Sequence, residues 1–263
     1  MFGLSSAERQ FLIDGVELNV RNDGRSRLDF RHFTIETGII ATANGSARLK
    51  LDNTDVMVGV RVDLAEPKLD RPNEGAEDLA ISITQVLARS YKNALDWTSL
   101  CVIPGKLVWA IYVDALVLDF EGNPYDAISI ATRAALHNTM IPRITLEDGE
   151  VEVTDDPQDC TRLDVSNVPV TVTLTKIGTR FLVDATLEEE QCMGVRVIVG
   201  ISPKGHVCSM QMTGHGAVEP TSLYEMIQTS QKLGRELIEG LDKALAQEAK
   251  SALPKTSTSA YFN

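Results

Sequence analysis

The sequence predicts an α/β fold of the α+β type, made of two related βα halves whose mixed or antiparallel sheets pack through helices. Apolar and polar residues alternate over 46–62, which predicts a half-buried β-hairpin. A second alternating region at 170–185 predicts another hairpin. Helical patterns follow both regions, and one of them, at 126–138, is apolar on almost all sides. Strands followed by helices, twice over, indicate two similar halves.

The first thirty residues predict a short helix and a loop. Ser5 and Glu8 have the spacing of a capping box, so we expect a helix over 4–13. The polar stretch at 21–27 contains three arginines around an Asp-Gly pair, which is typical of a turn. We assign residues 1–30 to this N-terminal unit.

The first half is predicted to span residues 31–145. After the hairpin, Leu79, Ile83 and Leu87 recur at helical spacing and predict a helix over 77–92. A long apolar strand over 107–120 and the buried helix at 126–138 complete this half.

The second half is predicted at 169–248, after an acidic linker at 146–168. Its hairpins precede a long amphipathic helix that begins at Pro220. Residues 249–263 are small and polar, and we expect them to be a disordered tail.

Composition excludes several classes of protein. The chain has 263 residues, of which 43% are hydrophobic and 24% charged, as in ordinary globular proteins. The apolar run at 110–120 is interrupted by Asp114 and is too short to cross a bilayer, so no membrane contact is expected. The N-terminus lacks the basic and apolar regions of a secretory signal.

Cysteine and histidine patterns indicate no metal site, and no cofactor is expected. The four cysteines are far apart and form no CxxC pair, as expected for reduced thiols in a cytosolic or nuclear compartment. The four histidines favour structural roles. The acidic cluster at 184–190 is the one place where general-acid or metal chemistry is conceivable, and solvated carboxylates at a strand end are the favoured interpretation.

The net charge of −12 restricts how the chain could contact RNA. With 37 acidic and 25 basic residues, its overall field repels a polyanion. RNA contact therefore requires a local basic patch or a surface shared with more basic partners.

Several motifs in order resemble one family, the exosome ring subunits with the RNase PH fold. The resemblance covers residues 4–245. The matching stretches are RNDGR (21–25) with Arg31, GSAR (45–48), TDV (54–56), PKLDRPNEG (67–75), LCVIPG (100–105), VD (113–114), GNPYDAISI (122–130) and VDATLEEE (183–190). The chain departs from the family after Gly75, where a further strand and a Gly/Arg-rich loop, together roughly twenty residues, are expected but absent.

The resemblance implies a catalytically inactive member, with no catalytic residue. Active relatives bind phosphate with a Thr-Arg pair at the start of the buried helix, where this chain has Pro124 and Tyr125. An aspartate at the next position, Asp126, is expected to repel an anion. Active members also place a carboxylate shortly after the acidic cluster, and no Asp or Glu follows Glu190 at that distance.

The resemblance also implies partners and a location. Expected partners are the other RNase PH-type ring subunits, with mRNA transport regulator 3 as a direct neighbour, the cap subunits and RNA. The expected locations are the nucleus, nucleolus and cytoplasm. Candidate RNA contacts are Arg89 and Lys92, and then Arg21, Arg25 and Arg27, although ordinary solvated charges are an equal alternative.

Two other functions stay open at the level of sequence. The first is an active phosphate-dependent 3′-to-5′ exoribonuclease that uses Asp184 and the glutamates at 188–190. The second is an interaction module that borrows the fold without contacting RNA.

Overall fold

A computed structural model of the chain describes residues 3–65, 78–104, 106–147, 150–153 and 159–252. Two main sheets and five helices make up these ranges, and two small strand pairs join the halves. None of the described helices has the length and apolar content that crossing a membrane requires. The predicted absence of a strand and loop after Gly75 concerns residues that lie outside these ranges.

The first half is built on a five-stranded sheet. Helix α1 (Ser6–Glu17) precedes it, and the predicted capping box between Ser5 and Glu8 is present. The strand order is β1-β2-β3-β5-β4 and every pair is antiparallel. Its elements are β1 (Phe33–Thr37), β2 (Gly45–Leu51), β3 (Thr54–Ala65), α2 (Asp78–Tyr91), β4 (Cys101–Ile103), β5 (Leu107–Asp119) and α3 (Pro124–His137).

Helix α3 lies in the centre of the molecule. One side of it packs against β2 and β3, and the other against the second half, which explains why every residue from Pro124 to Leu136 is buried. The helix begins two residues before the predicted start at 126. Proline suits the first helical position, since the N–H that it lacks would have no partner there.

The second half is a four-stranded antiparallel sheet in the order β11-β10-β12-β13. The long helix α5 packs against β10 and β12, and the Glu248 carboxylate near its end accepts hydrogen bonds from Thr37 of β1. The elements are β10 (Val170–Ile177), β11 (Arg180–Val183), α4 (Leu187–Gln191), β12 (Val195–Ile201), β13 (Val207–Gly214) and α5 (Pro220–Ala252).

Two predicted segment assignments are wrong. The stretch at 146–168 is not a plain linker, because backbone pairing continues through it: β6 (Met140–Pro142) pairs with β9 (Cys160–Arg162), and β7 (Ile144–Glu147) pairs with β8 (Glu150–Val153). The predicted tail begins too early, since residues 249–252 continue α5. Residues 253–263 lie outside the described ranges.

Candidate functional site

The carboxylate of Asp184, which directly follows β11, is the centre of the candidate site. It is completely buried, and its backbone has a left-handed φ of 48°. Arg31 donates to it from Nε (2.9 Å), from Nη2 (2.8 Å) and from its backbone N–H (2.8 Å). Arg25 Nη1 and Asn123 Nδ2 each donate a further hydrogen bond of 2.9 Å. Both carboxylate oxygens are therefore saturated by groups of the chain itself.

The environment of Asp184 keeps it ionised. Burial alone raises the pKa of this carboxyl group, but the hydrogen bonds and the positive charge of Arg31 outweigh that effect and hold the pKa below its usual value. A general acid needs a pKa near the working pH. Asp184 is therefore suited to structural pairing rather than to proton transfer at neutral pH.

A second buried ion pair joins the N-terminal loop to α4. Arg21 donates from Nε and Nη2 to the two oxygens of Glu189, at 2.8 and 2.6 Å. The same guanidinium donates to the backbone carbonyls of Val183 and Asp184. Glu189 also caps α4, because its carboxylate accepts from the backbone N–H of Thr186.

Gly122 connects the first sheet to this cluster at the start of α3. Its φ is +97°, a conformation that favours glycine, and a Cβ at this position would lie 2.5 Å from the carbonyl oxygen of Ala185. The Gly122 carbonyl accepts hydrogen bonds from Arg31 Nη2 and Thr54 Oγ1. The residue thus lets the backbones of the two halves come into contact beside Asp184.

Neither Pro124 nor Tyr125 supplies a charged donor at the position expected for a phosphate. Pro124 has no backbone N–H, and Tyr125 is 3% exposed. The Tyr125 hydroxyl is 3.0 Å from Ser82 Oγ, and the Arg196 guanidinium carbon lies 5.5 Å from the centre of the tyrosine ring. Arg196 also forms an ion pair of 2.7 Å with Glu190.

The Glu190 carboxylate lies where an anion would meet the start of α3. Its Oε1 atom accepts from the backbone N–H of Asn123, the residue that caps the helix, at 3.0 Å, and from Arg196 Nη2 at 2.7 Å. Helix N-termini attract anions through such N–H groups and through the helix dipole. An internal carboxylate therefore takes the role that an external phosphate would need.

Asp126 is not at the mouth of this site, which corrects the prediction that it repels an incoming anion. The residue is fully buried inside the first turn of α3. Its carboxylate accepts from Asn123 Nδ2 (3.0 Å) and from the N–H and hydroxyl groups of Thr173 (2.9 and 2.7 Å). Burial raises its pKa to about 6, although these hydrogen bonds lower it. Asp126 thus holds α3 against β10.

The structure separates the three arginines of the N-terminal loop. The prediction that Arg21 contacts RNA is wrong for this conformation, because its side chain is completely buried in the pair with Glu189. Arg25 pairs with Asp23 and Asp184 and is 13% exposed. Arg27 donates to the carbonyl of Phe181. As RNA contacts, Arg25 and Arg27 stay predictions.

Arg89 and Lys92 lie together at the end of α2, a helix that packs against β13, and both are exposed. Arg89 donates one long hydrogen bond of 3.4 Å to Gln211. Neither residue forms an ion pair within the ranges that the structure describes. This pair remains a prediction for RNA contact, with both charges available to solvent.

Sequence reasoning missed several residues of the site. Asn123 and Arg196 were not among the predicted candidates, and the arginine partners of Glu189 and Glu190 were not predicted; only the side-chain contacts reveal these roles. The interpretation of the acidic cluster as solvated is wrong for Asp184 and Glu189, because both carboxylates are buried in arginine pairs. The RNDGR motif with Arg31 was the available signal for this burial, since its arginines are the ion-pair partners of Asp184 and Glu189.

Family models identify the fold. Domain 1 of the 3′ exoribonuclease family, RNase PH, matches residues 29–142, and domain 2 of that family matches residues 167–232. The chain belongs to the RNase PH family. The predicted family and the α+β fold are therefore confirmed.

The similar proteins within this family are exosome subunits of the Rrp42 type. A Dictyostelium discoideum protein named putative exosome complex exonuclease RRP42 is 35% identical over 93% of this chain and 98% of its own length. Exosome complex component Rrp42 of Methanothermobacter thermautotrophicus is 32% identical over 90% of this chain and 95% of its own. This second alignment runs over 259 residues, whereas 90% of this chain is about 237, so the relative carries roughly twenty residues without a counterpart here.

Solved structures agree with this grouping. A chain of an archaeal exosome core superposes with a TM-score of 0.78 and 29% identity, covering 90% of this chain and 96% of its own length. A chain of the Archaeoglobus fulgidus exosome, solved with RNA bound to the active site, gives a TM-score of 0.78 and 28% identity, covering 89% and 97%.

Replacing Asp126 with Asn is expected to remove a pH-dependent loss of stability. The folded chain keeps the Asp126 proton up to about pH 6, whereas the unfolded chain releases it near 3.8. The contribution of this group to the free energy of unfolding therefore falls as the pH rises between these values, by about 3 kcal/mol. Asn fits the site, since its oxygen can accept from Asn123 and the Thr173 N–H while its amide donates to the Thr173 hydroxyl.

Urea unfolding of both proteins at pH ~4 and pH ~7 measures this effect. As the pH rises, the free energy of unfolding of the variant should increase relative to that of the wild type. Parallel pH profiles would contradict the raised pKa of Asp126.

Replacing Arg21 with Ala is expected to destabilise the chain by about 3–5 kcal/mol, because Glu189 is then left buried without its partner. Urea unfolding at neutral pH gives the value. The double variant Arg21→Met, Glu189→Leu is the control, and it should cost less than the single change. An Arg21→Ala loss below about 1 kcal/mol, which is typical of exposed pairs, would contradict the buried pairing.

Proposed function

We propose that this chain is a non-catalytic structural subunit of the exosome ring, which supports 3′-to-5′ RNA processing and degradation by scaffolding the ring and guiding RNA through its pore. Such work includes ribosomal RNA maturation and mRNA turnover. The family, the Rrp42-type relatives and the archaeal exosome structures support the assignment to the exosome.

The position of Glu190 is the main observation that supports a catalytically inactive chain. Phosphorolysis requires donors that hold the attacking phosphate beside the reacting bond. At the start of α3, the Asn123 N–H and Arg196 already donate to Glu190, while Pro124 and Tyr125 supply no cation. A phosphate arriving here would have to displace a carboxylate and would meet its negative charge.

Asp184 supports the same conclusion. An acidic group that acts on a substrate needs a free oxygen, and both oxygens of this carboxylate accept hydrogen bonds from Arg31, Arg25 and Asn123. The arginines and the aspartate of these motifs therefore join the two halves of the chain to each other.

Assembly with other subunits explains how an acidic chain can serve RNA. We propose that its partners are the other RNase PH-type ring subunits, with mRNA transport regulator 3 as a direct neighbour, together with the cap subunits and RNA. A pore surface shared among subunits needs only a few local cations from this chain, and Arg89 and Lys92 are exposed and form no ion pair in the described ranges. We propose the nucleus, nucleolus and cytoplasm as the locations.

The alternative is an active phosphate-dependent exoribonuclease, and the word exonuclease in the name of the Dictyostelium relative favours keeping it. Incubating the isolated chain with RNA labelled at its 5′ end, in the presence of inorganic phosphate, separates the two functions. We expect no shortened RNA and no nucleoside diphosphate above the level of buffer alone. Phosphate-dependent release of nucleoside diphosphates by the purified chain would overturn the scaffold function.

The double variant Arg89→Ala, Lys92→Ala is expected to weaken RNA binding by the reconstituted ring. If both residues contact phosphates of single-stranded RNA, the slope of log K against log salt should become shallower by about 1.4. Arg9→Ala, Lys204→Ala is the control, because it removes two exposed cations elsewhere. Equal salt slopes for both variants would show that Arg89 and Lys92 are ordinary solvated charges.

A further inference from the structure

The outer edge of β5 lacks a partner strand over most of its length. One side of β5 pairs with β3 from end to end, whereas on the other side β4 reaches only Leu107 and Val108. From Ala110 to Asp119, no strand of the described ranges lies on that second side. A row of backbone N–H and C=O groups therefore points outward, and such an edge is a template for strand pairing.

Most side chains of this edge are apolar and exposed, and its only charged residues are Asp114 and Asp119. Tyr112, Val113, Leu116 and Leu118 are 43%, 40%, 58% and 46% exposed. Natural edge strands usually carry lysine or proline, or are short, which blocks unwanted pairing. β5 is 13 residues long and has no lysine, arginine or proline. We therefore expect a partner segment to cover the exposed side chains and backbone groups of β5.

An apolar groove of ≈ 930 Å³ runs beside the edge, between β5 and α2. Alternate residues of β5 form one wall, α2 forms the other and α3 the floor. The main apolar contributors are Ile111, Val113, Val117, Ile83, Leu87 and Ile128. Because side chains alternate along a strand, a segment added to the β5 edge would direct every second side chain into this groove.

The acidic residues along the β5 edge indicate which charge a bound segment would carry. Asp114, Asp119 and Glu121 lie along the edge and just beyond it, and none of them forms an ion pair with a described residue. A second copy pairing through the same edge would place the aspartates of both copies on one two-stranded ladder, where like charges that face each other destabilise a sheet. A cationic segment complements the edge instead.

We propose that the β5 edge is a docking site for an extended segment of a different protein, which adds a strand to the first sheet. Such a segment has an apolar side chain at every second position, for the groove, and lysine or arginine between them, opposite the aspartates. Backbone hydrogen bonds supply affinity in this mode of recognition, and the groove supplies specificity. This docking site goes beyond the ring scaffold function and does not depend on RNA.

Three fluorescent peptides test the mode of binding to the full chain by fluorescence anisotropy. The first is acetyl-KVKVKVK-amide, the second has proline in place of the central valine, and the third has glutamate in place of every lysine. We expect the first to bind and the other two to bind at least about tenfold more weakly. Proline keeps the charge of the peptide but removes a ladder hydrogen bond, and glutamate reverses the charge.

Two matched variants locate the site. Val113→Lys places a charge in the groove wall, while Val207→Lys makes the same change on β13, where the valine is equally exposed at 40%. Both variants change the net charge of the chain identically, so non-specific attraction cancels in their comparison. We expect Val113→Lys to weaken the first peptide at least about tenfold and Val207→Lys to leave its affinity unchanged.

Several outcomes would overturn the proposal. No binding of the first peptide shows that the edge accepts no such strand. Equal binding of the proline peptide, or equal effects of the two variants, shows adhesion through net charge alone. A wild-type dimer that Val113→Lys converts to a monomer, measured by sedimentation velocity, assigns the edge to a second copy instead.

Discussion

The pairing of Asp184 with Arg31 and Arg25 is the constraint on which the rest of the site depends. Arg31 comes before the first sheet, Asp184 directly follows a strand of the second sheet, and Asn123, which also binds this carboxylate, precedes the central helix. A buried carboxylate that lost these donors would be unpaired in an apolar interior, at a cost of several kcal/mol. The halves therefore hold their relative positions through one fully satisfied charge.

The other buried charges of the site are also paired within the chain, and this pairing determines which anions the site could bind. Glu189 neutralises Arg21, and Glu190 neutralises Arg196 beside the start of α3. A catalytic phosphate site needs the opposite arrangement, in which positive groups stay unsatisfied until the substrate arrives. Here each buried cation of the cluster already has an internal anion. The buried ion pairs thus hold the fold together, and the same pairs support the catalytic silence that we propose.

Much of the fold could be predicted from the sequence, because local pattern determines it. The capping box at Ser5 and Glu8, the antiparallel hairpin of β2 and β3 and the buried character of α3 all follow from residue spacing. The pairing of β6 with β9 could not be predicted, since each strand has only three residues and its partner is distant in the chain. The local pair of β7 and β8 does alternate, but over only four residues each in an acidic stretch, and this short signal was missed.

The site was less predictable, because its contacts join residues separated by as many as 168 positions. Arginines in a polar loop are typical of solvent-exposed turns, and nothing local shows that Arg21 enters the interior to meet Glu189. Motif resemblance indicated which arginines and acids matter. It did not show that Asp126 supports β10 or that Glu190 takes the anion position.

Titration of the ¹⁵N-labelled chain with inorganic phosphate tests the central claim most directly. If Glu190 fills the anion position, the amide resonance of Asn123 and the guanidinium resonances of Arg196 should stay unchanged at phosphate concentrations on the order of 10 mM, where weak phosphate sites begin to fill. Saturable shifts of both signals would show a working anion site beside Tyr125 and contradict the account.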